Sequence, residues 1–164
     1  MEIVTGRTEI SDLDAFVAEL DSIGKKFDCA VQAFDARYIA GSEHLERAVA
    51  LANRAAERDE TIARDRNVEI LLYAAGRRQI NRAFEIGVSE GENELVVVAD
   101  GRDEGAAVDE LSELIEPAGW NPGNRTDPER VMEFYEITDA EREATDASLE
   151  ALVCERVALL VVEQ

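Results

Sequence analysis

Lysine is nearly missing from this chain. Of 17 basic residues only Lys25 and Lys26 are lysines, the other 15 being arginine, against 37 acidic residues and a formal net charge of -20. Histidine and tryptophan occur once each, cysteine twice and proline three times. With so few cations, general attraction to nucleic acid is absent, and any polyanion has to be held by local contacts. Cys29 and Cys154 stand inside apolar runs at no metal-like spacing, so reduced, buried thiols are expected rather than a disulfide. The sole histidine, His44, has no Ser or Cys nucleophile motif beside it and is read as structural or surface rather than as a base. Neither GxxxxGK[ST] nor GxGxxG is present. No catalytic residue, metal site or cofactor is therefore expected. No segment is apolar for long enough to span a bilayer, and MEIVTGRTEISDLD lacks a basic-then-apolar signal pattern, which predicts a cytoplasmic protein without membrane contact.

What the chain does contain is enough for one core: 164 residues, 46% of them hydrophobic, predict a single domain over 1–164. An acidic, lysine-poor surface on such a chain predicts a folded protein kept soluble in concentrated salt, hence a halophilic source. In molar salt the screening length falls to about 3 Å, leaving only short-range contacts effective. Charge is also uneven. Residues 1–67 carry 9 basic and 14 acidic side chains, residues 68–88 carry 3 and 2, and residues 89–164 carry 5 and 21. The middle window is the one long stretch that is not acidic, and so the best candidate for a contact surface.

Periodicity predicts a mixed order of elements. A short leading strand (Glu2 to Val4) precedes a helix with a cap at Ser11 and Asp14, core positions Leu13, Phe16, Val17, Leu20 and Ile23, and an end at Gly24. Cys29 to Phe34 reads as a strand, and Ser42 as the cap of a helix burying Leu45, Ala48, Val49, Ala52 and Ala55. The nearly unbroken apolar run Val68 to Tyr73 reads as a strand covered on both faces. A helix carrying Ile80, Ala83, Phe84 and Gly87 is expected after Gly76, then a turn, a strand from Glu94 to Asp100, and a helix from Gly105 to Glu116. All three prolines fall in PAGWNPGNRTDP, the longest loop. Asp127-Pro128 starts a short helix to about Tyr135. Thr138 and Glu141 form a capping box before a last helix from Ala144 to Leu160, whose tail ALLVVEQ reads equally as an edge strand.

The middle window holds Arg77, Arg78 and Arg82 within six positions, with the amides of Gln79 and Asn81 between them. A strand feeding a helix through Gly76 would aim backbone N–H groups at an anion. Two arginines in that first turn oppose the macrodipole, a cost that a bound anion offsets. Pairing with Glu85, Glu69 or Glu46 is the structural alternative. Arginine's planar fork and stacking face suit short-range contact with an unstacked RNA end, and Tyr38 or Tyr73 is either an aromatic platform or core. Apolar faces for a protein partner are sought in Ile80, Phe84 and Val88, and in Leu152, Val157 and Leu160.

FDARYIAGSEHLERAVALANRA and RNVEILLYAAGRRQINRAFEIGVSEGEN closely resemble the signature region of the small KEOPS-complex subunit family, relatives of the PRPK-binding protein. The family pattern D-A-x-x-I-x-G-x-x-H-L falls on Asp35, Ala36, Ile39, Gly41, His44 and Leu45. The pattern E-I-L-L-Y-A-S-G-x-R-Q-I-x-x-A falls on Glu69 to Tyr73, Gly76, Arg78, Gln79, Ile80 and Ala83, with Ala75 where serine is frequent. The resemblance implies a non-catalytic archaeal subunit that binds and stimulates the kinase-like ATPase of the complex. It also implies help in delivering tRNA through its single-stranded 3′ CCA end for threonylcarbamoylation, with the other subunits met only indirectly. His44 then becomes a packing or capping residue. The whole reading is a single mixed α/β domain, a small sheet packed against several helices with a helix-rich C-terminal part. A phosphate or small-ligand module at Gly76 and a purely structural adaptor are the rivals.

Overall fold

The computed structural model describes residues 1–162. Strand β1 (Glu2–Ile10) runs well past its expected end. Helix α1 (Leu13–Phe27) starts on Asp12, whose carboxylate accepts the Ala15 N–H, in place of the expected Ser11 and Asp14. It passes through Gly24 and stops at Asp28, which takes the left-handed conformation. Gly24 serves contact rather than termination, because a Cβ there would lie 2.6 Å from the Cys29 carbonyl oxygen of the next strand.

Strand β2 (Cys29–Asp35) leads through a 3₁₀ turn at Ala36–Tyr38 into α2 (Ser42–Glu57), with Gly41 rather than Ser42 in the cap position. Its buried face holds the expected Leu45, Ala48, Val49, Ala52 and Ala55. Next come α3 (Arg66–Ala75), the single-turn α4 (Ile80–Ala83) with a 3₁₀ turn at Phe84–Ile86, and β3 (Gly91–Gly101). They are followed by α5 (Glu104–Leu114), the two-residue β4 (Glu116–Pro117), α6 (Pro128–Phe134), α7 (Asp139–Glu143) and α8 (Leu149–Val162). The Asp127 and Thr138 caps form as expected, accepting N–H bonds from Glu129 and Glu141. The last helix, expected from Ala144, begins only at Leu149, and the Thr138 cap opens the separate short α7 instead. Residues 158–162 of the ALLVVEQ tail are helical, and 163–164 lie outside the described residues.

The strands form one antiparallel sheet in the order β2-β3-β1-β4. Alternate residues of β3 serve opposite faces. Leu95, Val97 and Ala99 meet Phe16, Leu20 and Ile23 of α1 and Leu111 of α5. Val96 and Val98 meet the larger cluster built from α2, α3 and α8. Helices thus cover both faces of a mixed α/β fold, as expected.

Two expectations are corrected here. Val68 to Tyr73 is helix, not strand. Every residue from Glu69 to Ala75 is buried, and a helix buried all round shows no 3.6-residue period to separate it from a buried strand. Leucine and the Ala74-Ala75 pair favour helix once length allows it. Gly76 (φ 63) is accordingly the left-handed residue closing α3, with its own N–H on the Tyr73 carbonyl and the Arg77 N–H on that of Leu72, a Schellman motif. Leu152, Val157 and Leu160, offered as a partner face, are core.

The end of α3 is sealed by His44. Its Nδ1 accepts the Ala40 N–H (3.2 Å) and its Nε2 donates to the Ala74 carbonyl (2.8 Å). The Tyr135 hydroxyl donates to that same oxygen (2.8 Å). Burial pushes the Tyr135 hydroxyl's pKa up, keeping it a donor, and pushes the His44 imidazole down to about 4. This is the packing and capping role the family pattern implied.

Since the unfolded chain takes up the His44 proton first, near its ordinary 6.5, stability is full above that value and is lost as pH falls toward 4. The expected extra slope is about 1.4 kcal/mol per pH unit between those values. It is measured as the difference in urea unfolding between the native chain and His44→Gln, and parallel pH dependences in the two would refute it. A second variant, Gly76→Ala, combines positive φ with a Cβ 3.3 Å from the Arg156 carbonyl oxygen and should lower stability by about 1–2 kcal/mol.

Candidate nucleic-acid and partner interface

The segment 76–79 leaves α3 at its C-terminus, so Arg77 and Arg78 sit where the macrodipole favours cations, the reverse of the expected arrangement. The N–H cradle imagined at Gly76 does not exist. The following α4 has only four residues and offers no anion site of its own. Whatever binds here is held by side chains.

The three arginines are placed differently. Arg77 is half-buried; its Nη2 donates to the Phe134 carbonyl and its guanidinium lies 5.0 Å from the Phe134 ring centroid. Phe134 is itself wedged edge-on between Tyr38 (5.8 Å) and Tyr135 (4.9 Å). Arg82 is exposed and 3.8 Å from Glu85, an (i, i+3) surface pair of the kind that holds little energy. Arg78 is exposed and makes no hydrogen bond or ion pair among the described residues. Of the acids expected to neutralise the cluster, only Glu85 does so. Glu69 is buried and accepts the Ile62 N–H (2.8 Å) and the Ala63 N–H (3.1 Å), closing the loop before α3.

Gln79 and Asn81 are exposed beside these arginines. Ala83 and Ile86 anchor the short helical segment in the core, which turns Ile80 (44% exposed) and Phe84 (58%) outward. Val88 is partly buried against the second apolar layer and belongs to the core as much as to the surface. Tyr73 is wholly buried and Tyr38 is packed on Phe134, so both are core rather than platform. Both cysteines are free thiols, Cys29 half-buried and Cys154 buried, and burial with the nearby Glu43 and Glu150 pushes Cys154 up to about 11.

A cavity of about 190 Å³ separates the 76–79 segment from α8, lined by Gly76, Arg77, Arg78, Gln79, Arg156 and Leu159. Arg156 donates to the Tyr135 carbonyl (3.1 Å), the Glu136 carbonyl (3.2 Å) and Glu141 (2.7 Å). Sequence reasoning missed Arg156 and the exposed Leu159 and Val161. Their signal was the apolar residues all round α8, more than one buried face requires. The result is a short ridge that alternates arginine, amide and exposed apolar side chains beside a small cavity. Among the described residues no set of three His, Cys, Asp or Glu could hold a metal, and no helix is long and apolar enough to cross a membrane.

The site is thus an exposed ridge on a helix-covered sheet. The chain belongs to the kinase binding protein CGI-121 family, whose model matches residues 8–160, and this is the family of the KEOPS regulatory subunit. No curated protein matches the chain.

The geometry separates structural from available arginines. Arg156→Ala is expected to cost about 1–3 kcal/mol, since it strands two carbonyls and a carboxylate. Arg78→Ala should stay within about 0.5 kcal/mol of the native chain. Thermal unfolding of the two variants measures this, and an Arg78→Ala loss equal to that of Arg156→Ala would show that Arg78 is structural after all.

Proposed function

We propose that this chain is the non-catalytic subunit of the KEOPS tRNA threonylcarbamoyladenosine-synthesis complex. In this reading it binds and stimulates the kinase-like ATPase subunit and recruits tRNA by its 3′ CCA end. Membership of a kinase-binding family supports the first half. The observation that carries the second is Arg78, a guanidinium without a partner among the described residues of a chain with 37 acidic residues.

Arg78 and Arg82 contact the phosphates of the unpaired CCA nucleotides, Gln79 and Asn81 meet base edges, and Arg77, fixed on Phe134, forms the wall of the cavity. These contacts are directional and short, as a polyanion on a surface of charge -20 demands. The kinase-like subunit takes the exposed apolar side chains Ile80 and Phe84, with Val88 at their margin and Leu159 and Val161 of α8 extending the patch. The phosphate-module alternative loses its support with the helix N-terminus it required. The adaptor alternative remains an outcome of the test.

The test is binding of full-length tRNA and of tRNA lacking CCA, in concentrated KCl, to the native chain and to Arg78→Ala and Arg82→Ala. Loss of CCA, or of Arg78, should weaken binding about tenfold or more, a phosphate or base contact being worth about 1–3 kcal/mol. Equal binding with and without CCA would reject the end-recognition reading. In parallel, Phe84→Asp should abolish capture of the kinase-like subunit while leaving tRNA binding intact. Retained capture would move the partner surface elsewhere.

A further inference from the structure

The sheet ends on an edge that its own chain covers only in part. Next to the pair Cys29 and Gly101, the Arg102 N–H donates to the Asp28 carbonyl (3.0 Å). Even-numbered residues of β3 therefore turn their main chain toward β2, and odd-numbered ones toward β1. By the register of β1 on β3, Glu2, Val4, Gly6, Thr8 and Ile10 bond to β3, while Ile3, Thr5 and Arg7 face the other edge.

There Arg7 is paired with Glu116, and the Thr5 carbonyl accepts the Ala118 N–H (3.0 Å). The same register would bring Trp120 opposite Ile3, but the chain turns away at Gly119 (φ 71). The N–H and C=O of Ile3 are left facing outward with no hydrogen bond among the described residues.

That open edge lines a groove of about 560 Å³, shared with Glu46 of α2, Ser112 of α5 and Pro117, Trp120 and Pro122. None of these residues lines the arginine cavity. Trp120 is held from two sides, its carbonyl by the Thr5 hydroxyl (2.6 Å) and its ring by the Arg125 guanidinium 5.4 Å away. Its indole Nε1 is buried and has no acceptor among the described residues. A free main-chain donor and a free main-chain acceptor thus stand beside Trp120. Another extended main chain satisfies both, as in recognition by strand addition. The charged side chains lining the groove are Glu2 and Glu46, and the two cations beside it are already engaged, the Met1 ammonium with Asp100 and Glu104 and the Arg125 guanidinium with Glu94, which selects a basic occupant over an acidic one.

We infer that the open end of β1 and the Trp120 groove are a docking site for an extended basic segment of a partner protein, which joins the sheet as a strand beside Ile3 in continuation of β4. This surface is separate from the one assigned to RNA, so either can fail without the other.

The probe is an octapeptide of alternating Lys and Val, titrated into the full-length chain. Because Trp120 is the only tryptophan, its fluorescence reports the groove alone. Amide exchange followed by NMR reports the edge. Saturable change at Trp120 and at least about tenfold slower exchange of the Ile3 amide are expected. Ile3→Pro removes the outward N–H without breaking the ladder to β3, and Ile3→Ala keeps that N–H while shortening the side chain. Ile3→Pro should weaken the peptide about fivefold and Ile3→Ala should not, read by NMR, with circular dichroism and tRNA binding unchanged in both. Four outcomes overturn the inference. They are no binding up to about 1 mM peptide, equal binding of a Glu/Val counterpart, protection at Val31 on the β2 edge instead of Ile3, and Ile3 protection that rises with protein concentration alone, which would mean a second copy.

Discussion

One buried carbonyl oxygen, that of Ala74, ties three elements of this structure together. It belongs to the last turn of a helix buried on every side, where no water is present to satisfy it and the helix supplies no donor. His44 from α2 and Tyr135 from the end of α6 both donate to it. That shared acceptor locks three separate elements together two residues before Gly76. The exposed segment carrying Arg78, Gln79 and Ile80 therefore projects from one of the most constrained points of the molecule. Rigid support of this kind is what a binding surface needs if ordering costs are not to consume its affinity.

The arginines divide into those consumed by the fold and those left over. Arg77 and Arg156 satisfy backbone carbonyls around the 134–136 corner, and Arg37 grips Asp35 through a two-pronged contact (2.7 Å at its shortest). Such roles exploit the planar fork and would not survive exchange for lysine. They also explain why a cluster conspicuous in sequence is not a uniform positive patch in space. Of three guanidiniums within six positions, one is anchored, one is loosely paired and one has no partner among the described residues.

The layers, most helices and two of the four expected caps were legible in the sequence because periodicity, Asp127-Pro128 and Thr138 act locally, whereas Asp12 and Gly41 took the cap positions expected of Ser11 with Asp14 and of Ser42. The α3 segment was not, since Glu69 to Ala75 are all inside and a one-dimensional pattern holds no information about a helix with no outside. That error carried into the site: reading α3 as a strand made Gly76 a helix start, and the electrostatic argument acquired the wrong sign. The ridge residues could be named from the sequence all the same, and Arg78, Gln79, Ile80, Asn81 and Arg82 are exposed in the structure. Arg156 and Leu159 stayed hidden because their nearness to Arg78 arises only when residues some eighty positions apart are packed together.

The sheet order also bears on how the chain is made. β1 is the first strand synthesised, yet it lies inside the sheet, and its long partner β3 is not complete until Gly101. β2 waits for the same strand. A ribosome therefore releases some hundred residues, including the apolar edges of two strands, before either has a neighbour to pair with. Non-local pairing of this sort slows folding and leaves edges open to wrong partners. The negative charge gives little protection at that stage, because residues 1–88 carry 12 basic against 16 acidic side chains and most of the acidic excess follows in residues 89–164, so the unpaired strand edges depend on the rapid arrival of β3.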